Sequence, residues 1–208
     1  MEKTSPLSRN CVFISQIPDN TEITPIYPPE RYAEILNTSN ERLKKEKYFV
    51  WRLLEYALMK CRGVNINDAE IKKGESGRWG AEGFDFSLSH SAGVAAVAMS
   101  DTSVGVDIEE MCTPKSENFA KRILSDGEYQ EFLSVQTESR EEYLIKKWTA
   151  KEAVFKSRNG ETFIPKKTET HSGTVKTDTV VIKDKKYVFS VFAINEEEIN
   201  VEIVNLKL

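Results

Sequence analysis

The chain has 208 residues, 29 Lys and Arg against 33 Asp and Glu, and a formal net charge of −4. That length suffices for a buried core in one domain or two small lobes, and 39% hydrophobic with 30% charged residues excludes a disordered or fibrous chain. The acidic balance and the lack of a basic-aromatic stripe argue against a nucleic-acid binder, while three cysteines without a C-x-x-C and only two histidines disfavour a disulfide framework or a zinc site.

Residues Met1 to Pro18 lack the apolar core of a signal peptide. The longest apolar run, Val94 to Met99, is too short to span a bilayer. The expectation is a reduced, cytoplasmic protein without a membrane partner. Val12–Ile17, closed by Pro18, reads as a first strand. From about Glu30 to Cys61 the pattern is helical, with Asn40 as N-cap of the longer piece and Gly63 as its stop. Leu43, Phe49 or Val50, Leu53 or Leu54, and Ala57 or Leu58 recur at three-to-four spacing. The other face carries Arg42, Lys44, Lys45, Lys47 and Arg52, which suit either solvent or phosphate.

Phe84, Phe86 and Leu88 alternate with Asp85, Ser87 and Ser89, the period of a strand. Gly93–Met99 reads as a buried segment, Asp101–Ser103 as a turn and Val104–Ile108 as the next strand. Three helices are expected from about Lys115 to Ser157, Ser125 capping the second and Gly160 ending the last. The tail holds strand-like runs at Thr179–Ile182, Tyr187–Ala193 and Ile199–Val204, with a hairpin turn at Asp184–Lys186. Strand, helix, strands, helices, strands is the order of an α+β fold. A boundary near Ser100–Ser103 divides it into lobes at 1–102 and 103–208.

Three short runs carry candidate chemistry. In Asp107-Ile108-Glu109 the two carboxylates share one face of a strand and suit Mg²⁺, which takes one or two protein carboxylates. With 33 acidic residues, roughly five acid-x-acid triplets arise by chance, so this run alone decides nothing. In Trp148-Thr149-Ala150-Lys151-Glu152-Ala153-Val154-Phe155-Lys156, Glu152 and Lys156 are neighbours one helical turn apart. Taken singly they are an ordinary surface ion pair. In Phe86-Ser87-Leu88-Ser89-His90-Ser91, hydroxyls and an imidazole could meet an anionic ligand. Strand alternation points Ser89 and His90 to opposite faces, which disfavours a Ser-His nucleophile.

Taken together and in this order, Phe-Ser-Leu-Ser-His-Ser at 86–91, Val-Gly-Val-Asp-Ile-Glu at 104–109 and the run at 148–156 resemble the 4′-phosphopantetheinyl transferases. The likeness is to the longer, Sfp-like type, and it covers residues 77–165. It implies two similar α+β lobes related by a pseudo-twofold axis, with coenzyme A in the cleft between them, so that a monomer suffices. It also implies Mg²⁺-dependent transfer of the phosphopantetheine arm to a serine of an acyl or peptidyl carrier protein, releasing adenosine 3′,5′-bisphosphate.

On these motifs Asp107, Glu109 and Glu152 match the acidic metal-holding positions. Glu152 doubles as general base and Lys156 matches the pyrophosphate-contacting lysine. Ser89 and His90 match phosphate-contacting positions. Gly77-Arg78-Trp79 stands where family members often have Gly-Lys-Pro, so Arg78 is the candidate nucleotide contact. Arg42, Lys44 and Lys47 are candidates for the 3′-phosphate. The carrier is expected to be acidic and to dock on Lys115, Phe119, Lys121 and Arg122, which otherwise form a plain amphipathic helix. The rival from another class is a non-catalytic relative that binds coenzyme A or a carrier protein. Retention of every acidic position and of Lys156 argues against it.

Overall fold

The computed structural model describes residues 10–75, 77–111, 117–158, 162–170, 173–195 and 197–207. The fold is mixed α+β, as the order of elements leads one to expect. Strand β1 (Asn10–Gln16) leads to helices α1 (Pro29–Leu36) and α2 (Glu41–Arg62). Asn40 caps α2 by accepting the Leu43 N–H, and Gly63 ends it at φ +64°, a left-handed conformation that glycine adopts without a Cβ penalty.

A short hairpin, β2 (Ile71–Lys73) and β3 (Trp79–Ala81), follows, then β4 (Asp85–Ser91), β5 (Val94–Ser100) and β6 (Val104–Glu110). Helices α3 (Glu117–Ile123), α4 (Asp126–Ser134) and α5 (Arg140–Ser157) precede β7 (Thr174–Ile182), β8 (Lys185–Ala193) and β9 (Ile199–Val204). Ser125 forms a reciprocal capping box with Glu128 at the start of α4, which satisfies two otherwise orphaned N–H groups. Gly160, expected to end the last helix, lies outside the described residues.

The strands form a four-stranded sheet in the order β4-β5-β1-β9, a three-stranded sheet in the order β6-β8-β7, and the β2-β3 pair. The segments β1-α2-β4-β5 and β6-α5-β7-β8 share one plan: a strand, a helix, then an antiparallel hairpin whose second strand pairs with the first strand. β9 departs from that plan. It leaves the second sheet and pairs in parallel with β1, Asn10 opposite Ile199 through Ser15 opposite Val204.

Side-chain alternation assigns each face. Phe13, Val97, Met99 and Phe86 of the first sheet pack against Phe49, Trp51, Leu53 and Leu58 of α2. Val12, Ile14, Ala96 and Ala98, on the reverse of that sheet, share a core with Val106, Ile108, Phe189 and Val191 of the second. Helix α5 covers the remaining face through Ala153, Val154 and Phe192. The layers therefore run helix, sheet, sheet, helix.

Two edges, β4 and β6, meet where the sheets adjoin. Asp85 Oδ2 accepts the Val104 N–H at 2.9 Å, Ser87 Oγ the Val106 N–H at 3.0 Å and Ser89 Oγ the Ile108 N–H at 3.3 Å. The polar residues of β4 thus satisfy the backbone donors of a neighbouring sheet edge, groups that are costly to bury unpaired.

Candidate active site

The site grows from this seam. Asp107 projects from β6 toward α5 and is 4% exposed. Its Oδ1 accepts the Ser89 hydroxyl at 2.9 Å and the Lys156 ammonium at 2.6 Å, and Lys156 Nζ lies 3.3 Å from Ser89 Oγ. Two residues further along both strands, Ser91 Oγ donates to Glu109 Oε2 at 2.9 Å. The period of two that aligns Asp107 with Glu109 also aligns Ser89 with Ser91, so each serine meets one carboxylate.

Gly105 brings α5 this close. A Cβ there would lie 1.8 Å from the Ala153 carbonyl oxygen, so any side chain would force the helix away from the strand. Glu152 and Lys156 stand one turn apart on the helix so held. Burial pushes the Glu152 carboxyl up, Lys156 opposes this, and the charges of Asp107 and Glu109 add to it; the result is a pKa of about 7. The structure thus brings Ser89, Asp107, Glu109, Glu152 and Lys156 into one electrostatic unit, from segments the sequence separates by up to 67 positions.

Two features of the donor set bear on a metal. Asp107 Oδ2 is buried and has no hydrogen-bond partner among the described residues, and burial, reinforced by the charges of Asp107 and Glu109, pushes the Glu152 carboxyl up. Both are relieved by a cation, and carboxylate oxygens suit a hard divalent ion. Among the described residues no three acidic, histidine or cysteine groups converge closely enough to form a preassembled metal cage.

His90 takes the opposite face of β4 and points to α2. Its Nδ1 lies 3.2 Å from Glu46 Oε2. Arg78 sits at the far end of β4, where Nη2 donates to both Asp85 oxygens, at 2.8 and 3.0 Å, and to the Phe86 carbonyl at 2.9 Å. It lines a cleft of about 1020 Å³ together with Lys72, Lys73, Trp79, Phe84 and Asp85. Lys44 pairs with Glu41 at 2.6 Å, Arg42 with Glu46 at 3.0 Å, and Lys47 donates to Thr38 Oγ1 at 3.3 Å.

Of the expected docking patch, Lys121 and Arg122 are exposed and Phe119 is half-buried against Trp148, ring centroids 5.5 Å apart. Lys115 lies outside the described residues. The sequence reading passed over three supports. Ser91 carried a usable signal, its two-residue step from Ser89. Glu46 carried none, being 44 positions from His90. Lys151, inside a quoted motif, is 1% exposed and donates to the Pro165 and Thr168 carbonyls at 2.9 and 3.0 Å while pairing with Glu128 at 2.9 Å.

Residues 103–196 match the family described as the 4′-phosphopantetheinyl transferase superfamily. The match, with those that follow, supports this superfamily and its Sfp-like type for the chain, as the three motifs imply. The chain is 42% identical over 73 residues to 4′-phosphopantetheinyl transferase psf-1 of Bacillus pumilus, and 35% identical over 71 residues to 4′-phosphopantetheinyl transferase ffp of Bacillus subtilis. These stretches are 35% and 34% of this chain, and the alignment spans 31% of each relative. No helix among the described residues is long and apolar enough to cross a membrane.

Proposed function

We propose that this protein transfers the 4′-phosphopantetheine arm of coenzyme A to a serine of an apo acyl or peptidyl carrier protein, releasing adenosine 3′,5′-bisphosphate. The observation that carries the reading is the Asp107–Lys156 pair at the β6–α5 contact, 2.6 Å apart, with Glu109 and Glu152 electrostatically linked to it. Support for the assignment comes from the named relatives and from the repeated strand–helix–hairpin plan. In this reading residues 1–102 and 103–208 form two lobes about a pseudo-twofold axis, β9 crosses back to extend the first sheet, and a monomer suffices.

Asp107, Glu109 and Glu152 would hold Mg²⁺. When bound, the ion neutralises charge on the pyrophosphate oxygens, a contribution of several kcal/mol to transition-state stabilisation. Ser89 holds Asp107 in place and Lys156 faces the pyrophosphate, offsetting charge on the departing bisphosphate. Glu152 receives the proton of the carrier serine hydroxyl, directly or through water. That oxygen attacks the phosphorus bearing the pantetheine arm, and the bond to the bridging oxygen breaks. General-base assistance of this kind contributes about 10²–10⁴-fold. His90 and Ser89 contact the phosphates, Arg78 meets the nucleotide in the cleft it lines, and Lys44 with Arg42 and Lys47 answers the 3′-phosphate. The cytoplasm, where coenzyme A and carrier proteins meet, is the proposed compartment.

Intact-mass spectrometry of a panel of apo carrier proteins incubated with enzyme, coenzyme A and Mg²⁺ tests the reading. The expected result is a gain of one phosphopantetheine mass that EDTA abolishes and that Asp107→Ala loses while keeping the wild-type circular dichroism spectrum. No gain on any carrier, with coenzyme A still bound by calorimetry, would replace the transferase with a coenzyme A-binding protein. Near-wild-type turnover by folded Asp107→Ala would remove the metal assignment.

A further inference from the structure

Glu46 is a buried charged residue on α2, 8% exposed, facing the β4-β5 turn through its contact with Gly93. Its two oxygens collect three donors from three elements. Oε1 accepts Arg42 Nε at 3.0 Å and the Gly93 N–H at 3.2 Å, while Oε2 faces His90 Nδ1 at 3.2 Å. Burial pushes this carboxyl up, but His90, Arg42 and Gly93 together outweigh it and hold it below the usual carboxylate range. A surface ion pair needs no such arrangement. A buried carboxylate with every oxygen engaged fixes the groups that donate to it.

We infer that Glu46 is a positioning residue for His90: it takes the Nδ1–H, locks the ring, and turns Nε2 outward as the atom that meets a phosphate oxygen of coenzyme A. The inference rests on the proposed phosphate contact of His90. The chemistry follows from the ring's two nitrogens. With Nδ1–H committed to Glu46, Nε2 can donate to a phosphate only if it also carries a proton, so the bound ring is an imidazolium. Glu46 is then its counter-charge on one side and the phosphate on the other. Arg42 and the Gly93 N–H keep Glu46 from following the ring. The imidazole is partly exposed, its side chain at 23%. Among the described residues no hydrogen bond engages Nε2.

Calorimetric titration of coenzyme A into the full-length protein tests this with Glu46→Gln, His90→Ala and the double variant, and NMR follows the side-chain nitrogens. The chain has two histidines, so the His90 signals are assigned by their loss in His90→Ala. Glutamine keeps the size and an acceptor oxygen, and thermal melting confirms that each variant is folded. The expected outcome is that each single variant weakens Kd about tenfold, that the double variant is no weaker than His90→Ala, and that both His90 nitrogens reach imidazolium shifts in the wild-type complex but not in Glu46→Gln. With a carrier present, KM for coenzyme A rises in Glu46→Gln while kcat holds.

A folded Glu46→Gln with wild-type Kd, beside a weakened His90→Ala, overturns the positioning role and leaves the phosphate contact standing. Additive losses in the double variant overturn it equally. An unchanged Kd in His90→Ala removes the phosphate contact itself and the inference with it.

Discussion

At Glu152 burial and two neighbouring carboxylates act in one direction and Lys156 in the other, and the balance sets a pKa of about 7. The unfolded chain releases this proton near the ordinary glutamate value of about 4.3. Between those values the folded protein holds a proton that the unfolded chain has lost. Stability therefore falls as pH rises from about 5 to about 7, and the loss persists above it. Glu152→Gln removes that dependence. In EDTA its melting temperature should exceed the wild-type value at pH 8 by a few degrees and converge on it at pH 5; parallel pH curves would show that Glu152 is not strained. Added Mg²⁺ should raise the wild-type melting temperature at pH 8 more than that of the variant, because a ligand that binds only the folded state stabilises it.

The elements depend on a few close approaches. Gly105 lets α5 lie on β6, and its Cβ would collide with helix backbone rather than with a side chain that could rotate away. Gly105→Ala should destabilise by about 3 kcal/mol or more, read as a lower urea midpoint. Transfer should fall further than stability alone predicts, since the substitution shifts Glu152 and Lys156 away from Asp107. Lys151 ties α5 to two carbonyls of the following turn and to Glu128 of α4. Lys151→Met strands a part-buried carboxylate and two carbonyl groups, and a loss of about 2–4 kcal/mol is expected in the same assay. A change below 0.5 kcal/mol, on the order of a surface substitution, would mark the lysine as dispensable.

For the whole molecule, net charge and local charge diverge. Under the proposed function, a chain of net charge −4 meets an acidic carrier through a local patch, and α3 presents Lys121 and Arg122 to solvent beside the Phe119–Trp148 contact. Reversing both charges, Lys121→Glu with Arg122→Glu, should raise carrier KM about tenfold or more and leave KM for coenzyme A unchanged, measured at fixed ionic strength. Equal effects on both substrates would place the damage in the fold rather than at a docking surface.

Much of this architecture is readable along the chain because its signals are local. Capping at Asn40 and Ser125, the stop at Gly63 and the alternation through Phe84–Leu88 act within one or two turns of backbone. The β7-β8 turn sits at Lys183-Asp184, both at positive φ, one residue before its expected place. β7 begins at Thr174 rather than Thr179 because an edge strand carries few apolar residues to mark it. The β2-β3 hairpin, with three residues in each strand, is too short to show a period. The three motifs and the acidic and cationic residues they hold were legible too, since each is a spacing within a single strand or helix.

Only the tertiary structure decided which edges meet. The alternation along β4 does not say what its serines meet within the fold; they stitch β4 to β6 and seat Asp107 and Glu109. Glu46 behind His90, Lys151 in its cage of carbonyls and β9 beside β1 depend on packing between distant segments. No local propensity encodes a hydrogen bond between residues 44 positions apart, or a parallel pairing of the first described strand with the last. These contacts exist because the buried donors and acceptors of two sheets and two helices must all find partners at once.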